Sequence, residues 1–128
     1  MNRQLAVAPA ELEGLDGLWQ TGLGDLFDEY LQVGPPQAAN REQVALAAAL
    51  VETALEMQGL GGRSAPAPQL LLADLCLARA SRLLAETADQ GLQVGFARAV
   101  EEASGAAAAG TPMPPTRLRL RQAIEERA

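Results

Sequence analysis

The 128-residue chain contains no histidine and no lysine, has a single cysteine, and carries aromatic residues at only 3% of its positions. Each scarcity closes off a chemistry. Without histidine, no Ser-His-Asp or Cys-His relay can form within the chain. Cys76 alone makes neither a Cys/His zinc site nor an intrachain disulfide framework, and a lone cysteine fits a reducing compartment. The ten basic residues are all arginine and the formal net charge is −6. That balance argues against nucleic acid as a partner, because phosphate contacts need clustered basic side chains. No run of 18 apolar residues occurs, so no transmembrane segment is expected. The first seven residues are followed too soon by Glu11 and Glu13 to read as a signal peptide. The expected setting is the cytoplasm.

What remains is helix-forming material. Alanine and leucine fill more than a third of the chain, isoleucine occurs once, at Ile124, and no stretch alternates in the manner of a strand. The fold class is therefore all-α. Apolar residues recur at helical spacing over residues 9–33, with glycines 14, 17, 22 and 24 predicting a break near residues 21–24, and Gly34-Pro35-Pro36 closing the segment. Asn40 and Gln43 form a capping-box pattern ahead of a helix over residues 41–58. Its expected core face holds Val44, Ala47, Ala48, Val51, Ala54 and Leu55, with Glu52 and Glu56 together on another, solvated face. Residues 59–68 read as a loop; their glycines lack the Lys and Ser/Thr of a phosphate-binding loop. Residues 69–88 place a wide apolar arc on one side, which marks a central or an interface helix. A further helix is expected over residues 92–104. The domain organisation read from this pattern is one helical domain over residues 1–104, an Ala/Pro-rich linker over 105–115, and a short C-terminal helix or disordered tail over 116–128. Trp19, Phe27 and Tyr30 read as core packing or as a partner contact, and Arg117, Arg119 and Arg121 as an amphipathic terminal helix or disorder.

Two stretches, in order, carry a resemblance. The first is Ala49-Leu50-Val51-Glu52-Thr53-Ala54-Leu55-Glu56-Met57-Gln58-Gly59-Leu60; the second, Leu72 to Ala85, contains the D-x-x-L-A-R-A core at Asp74 to Ala80. Together they resemble the trans-type polyprenyl diphosphate synthases, over roughly residues 25–105. In that family the first helix ends on the magnesium-binding aspartates, with Thr53 and Ala54 falling on a family Thr-Ala pair. The departures are informative. The aspartate pair falls here on Gly59-Leu60, and no D-D-x-x-D occurs anywhere in the chain. The basic diphosphate-binding segment falls on Gly34 to Arg41, where one arginine remains. Loss of diphosphate needs carboxylates to hold magnesium and basic residues to hold phosphate. The chain resembles instead the small, motif-free subunit of two-component hexaprenyl or heptaprenyl diphosphate synthases.

That resemblance implies a truncated isoprenoid-synthase-like helical bundle, with no catalytic or metal-binding residue of its own. It would pair with a D-D-x-x-D-bearing catalytic subunit, which holds the Mg2+, and would influence the length of a quinone side chain. Leu72, Cys76, Ala80, Leu83 and Leu84 are the expected partner interface. Thr53, Ala54 and Met57 are the expected tunnel wall. The competing expectation is a stand-alone helical interaction module, self-associated and unrelated to prenyl transfer.

Overall fold

A computed structural model describes residues 13–35, 37–58, 67–112 and 114–126. All of its regular structure is helical, with no strand among the described residues. The elements are α1 (Asp16–Leu18), a π-helical stretch (Trp19–Leu23), α2 (Gly24–Leu31), α3 (Arg41–Met57), α4 (Ala67–Thr87), α5 (Gln90–Ala109) and α6 (Thr116–Glu125). The part of the expected first helix before residue 13, and most of the expected loop at residues 59–68, lie outside the described residues.

The break predicted near residues 21–24 is present. Gly22 leaves helical backbone geometry within the π-helical stretch, and α2 begins two residues later. Gly34 takes a positive φ of 82°, a conformation open to glycine, and turns the chain out of α2. A Cβ there would also lie 3.2 Å from Ile124 Cγ2, so α6 abuts the end of α2.

The centre of the molecule is α3. Every residue from Val44 to Leu55 is buried. A helix apolar on all sides belongs inside a bundle rather than on its surface, and the other helices are arranged around this one. The expectation of a solvated face on α3 is corrected at Glu52, which is buried, whereas Glu56 is exposed. The expected capping box is not formed either. Asn40 sits at the N-cap in left-handed geometry with no side-chain cap bond. Nearby, the Arg41 guanidinium donates through Nη2 to the Leu31 carbonyl and ties the end of α2 to the start of α3.

α4 lies along α3 and turns sharply into α5 through Ala88 and Asp89. Asp89 caps α5 by accepting the Leu92 N–H at 3.0 Å. α5 runs five residues beyond the expected end, into the segment read as linker. The cause is the alanine run at residues 106–109: alanine is the strongest helix former, and its helical gain outweighs the cost of Gly105. Gly110, at φ 70°, ends the helix, and the Thr111 N–H reaches back to the Ala106 carbonyl at 3.0 Å. α6 is the helical one of the two alternatives for the C-terminal segment, and it is docked: Leu120 is 0% and Ile124 4% exposed.

Gly95 marks the closest approach of α5 and α6. A Cβ built there would stand 2.8 Å from the Ala123 Cβ. Gly95→Ala gains helix propensity worth about 1 kcal/mol but overpacks this contact at a cost of about 1–3 kcal/mol. The expected result in denaturant unfolding is a net loss of stability that Ala123→Gly in the same chain reverses.

Candidate functional site

The chemistry-bearing feature of the structure is a carboxylate inside the bundle. Glu52, on α3 and 7% exposed, accepts a hydrogen bond from the Tyr30 hydroxyl of α2 at 2.6 Å. Arg117 of α6 completes the cluster, donating from Nη2 to Oε2 at 2.7 Å and from Nε to Oε1 at 3.1 Å. Its third nitrogen, Nη1, lies 3.4 Å from the Glu29 carboxylate at the surface. A buried carboxylate costs several kcal/mol in lost hydration, and charge-assisted bonds from a guanidinium fork recover much of that cost. Three helices thus converge on one anion.

Burial, followed by the hydrogen bond to Glu52, pushes the Tyr30 hydroxyl well above its ordinary value. The hydrogen bond to Glu52 likewise raises the affinity of Arg117 for its proton. Glu56, one turn beyond Glu52, is shifted upward by partial burial and then by the Glu52 charge. Among the described residues, no group of three or more Cys, Asp or Glu is placed to hold a metal ion. Within this arrangement Glu52 acts as a structural anchor for α2 and α6.

A cavity of about 340 Å³ opens beside this cluster, beneath the π-helical stretch. Leu18, Leu23, Asp25 and Leu26 line it from one side, and Thr53, Glu56 and Met57 from α3. Two of the three expected tunnel-wall residues therefore share one concave surface, of mixed apolar and acidic character. The third, Ala54, is 0% exposed and does not line that cavity.

The expected partner-interface residues sit differently. Cys76, Ala80, Leu83 and Leu84 are 0%, 2%, 1% and 6% exposed, so the apolar arc that marked them out is covered within this chain, chiefly by α3. Leu72 is half-buried at the edge of the core. The open apolar side chains of α4 are instead Leu70 and Leu71, at 40% and 69% exposure.

Sequence reasoning missed the link from Tyr30 through Glu52 to Arg117. Its signal was present on α3: the face that should have been polar holds Ala45 and Ala49 in line with Glu52, which is the pattern of a helix buried all round. The pairing of Arg117 with a residue 65 positions away had no local signature.

No protein-family model, no curated protein and no solved structure matches this chain.

Two measurements check this geometry. Tyr30 is the only tyrosine, so tyrosinate absorbance reports it alone. Because its folded value is raised, Tyr30 contributes stability below its unfolded value of about 10, and that contribution is lost as pH rises further. The folded chain is expected to show no ionisation at about pH 10, where the urea-unfolded chain is half-ionised. Tyr30→Phe is expected to abolish this alkaline loss of stability. Cys76, the only cysteine, is pushed up to about 11 by burial. A thiol reagent is expected to leave it unlabelled in the folded isolated chain and to label it rapidly in denaturant.

Proposed function

We propose that this chain is a noncatalytic subunit of a trans-type polyprenyl diphosphate synthase, acting in the cytoplasm beside a full-length catalytic partner. The partner supplies the aspartates, the magnesium ions and the basic residues that hold diphosphate. This chain contributes an apolar surface along which the growing prenyl chain lies, and so influences its final length.

The observation that carries the reading is the shared cavity of Thr53 and Met57. These are two of the three positions that the resemblance implies as tunnel wall, and they lie one turn apart, facing Leu18, Leu23 and Leu26 across about 340 Å³. A run of isoprene units is an apolar chain of small cross-section, and the aliphatic side chains of Leu18, Leu23, Leu26 and Met57 favour it by the hydrophobic effect, whereas Asp25 and Glu56 on the same surface stay towards water. The sequence likeness at Asp74 to Ala80 supports the same reading. Glu52 is consistent with it as well, because its carboxylate serves the packing of three helices and leaves the metal chemistry to the partner.

The experiment is co-expression with the D-D-x-x-D-bearing synthase encoded in the same genome. The two chains are expected to co-purify and to make a longer prenyl product than the catalytic chain alone. Thr53→Phe and Met57→Phe narrow the cavity and are expected to shorten that product while leaving the complex intact. If the catalytic chain makes the same product at the same rate without this one, the reading fails. The chain would then stand as a helical interaction module unrelated to prenyl transfer.

A further inference from the structure

A second groove lies away from the Thr53–Met57 cavity, where α4 and α5 both rest on α3 but diverge from each other. It encloses about 170 Å³. Leu77 and Ser81 of α4 form one wall, Ala97 and Val100 of α5 the other, and Phe96 and Val51 the floor. None of the residues lining it is charged, in a chain where 20% of residues are charged. Ser81 and Ala97 are small and exposed, so another backbone can approach closely between them. The rims have the opposite character. By helical spacing, Asp74 follows the Leu77–Ser81 row and Glu101 follows the Ala97 row, both are exposed, and neither row carries an arginine.

We propose that this groove is the docking site for an amphipathic helix of the catalytic partner, one whose apolar stripe is flanked by lysine or arginine. The inference rests on the function proposed above and adds the surface and the chemistry of the contact. An uncharged trough between two helices suits the apolar stripe of a third helix. The acidic rims select basic flanks, and they disfavour a second copy of this chain, which brings the same carboxylates and its own net charge of −6. The partner contact thereby shifts from the buried α4 arc to its open neighbour, with Ala80 and Leu84 lying at the boundary of the two.

The test measures affinity between the purified full-length chain and the D-D-x-x-D synthase. Ala97→Glu and Ser81→Glu put charge in the trough at exposed positions, where folding is expected to be preserved and is verified by thermal melting. Each is expected to weaken binding at least about 30-fold, as loss of a central contact does. Leu71→Glu and Leu118→Glu, exposed and away from the groove, are expected to leave it unchanged. Asp74→Asn with Glu101→Gln is expected to slow association at low salt and to flatten its salt dependence. If the wild-type chain binds and the trough variants bind equally well, the groove assignment is overturned while the subunit reading stands. If the wild-type chain does not bind the synthase, both fall. If the chain alone is a dimer that Ala97→Glu dissociates, the groove is a self-interface and the assignment is overturned.

Discussion

A carboxylate placed inside a helical bundle dictates what must surround it. Glu52 follows eight buried apolar residues, Val44 to Val51, on the central helix, so its charge has to be met by groups brought from elsewhere in the chain. Tyr30 comes from α2 and Arg117 from α6, so the cluster ties both helices to α3. The guanidinium is half-exposed and anchored on the outer side to Glu29, which keeps part of the cluster in contact with water and lowers the cost of burial. The last helix of the chain is consequently part of the bundle rather than an appendage to it.

The second constraint is the size of the side chains on α3. Alanines at positions 45, 47, 48, 49 and 54 give the central helix a narrow girth, so α2, α4 and α5 can approach it closely. The same economy recurs where α5 meets α6 at Gly95 and Ala123. A core made this way gains less from each residue than a leucine or phenylalanine core would, because less apolar area is removed from water per side chain. It depends instead on the few large residues at its centre: Leu46, Leu50, Leu55, Leu83, Leu92 and Phe96. Small side chains also leave hollows where helices diverge, and the Thr53–Met57 cavity and the α4–α5 groove lie at such places.

Much of this was legible in the amino-acid sequence, and the failures share a cause. Element type, the boundaries of α3, the glycine break near Gly22 and the stop at Gly34 all depend on neighbouring residues, and local spacing carries that information. The linker reading of residues 105–109 treated an alanine run as composition when its helix propensity governed. The capping box at Asn40 and Gln43 matched a pattern, yet the backbone there is left-handed and the side-chain bond is not formed. The sequence places Glu52 towards solvent because a charged side chain is usually exposed. The partners that make it an exception lie 22 and 65 positions away, beyond the reach of any local pattern. The α4 arc looks from sequence like a surplus available to a partner, but α3, buried on all sides, takes it up within the chain. For the candidate site, the sequence resemblance implies Thr53, Ala54 and Met57, of which Ala54 does not line the cavity, whereas the surfaces of α1, α2 and α5 that complete the two hollows came only from the three-dimensional arrangement.

Glu52 serves the fold through Arg117. A double-mutant cycle of Glu52→Gln and Arg117→Met, read by urea unfolding of the full chain, measures that link directly. The expected coupling is favourable by about 1–2 kcal/mol, reduced from that of a fully buried pair because Arg117 is half-exposed. Additivity of the two substitutions to within about 0.5 kcal/mol would contradict it, and would return Glu52 to the pool of carboxylates available for another role.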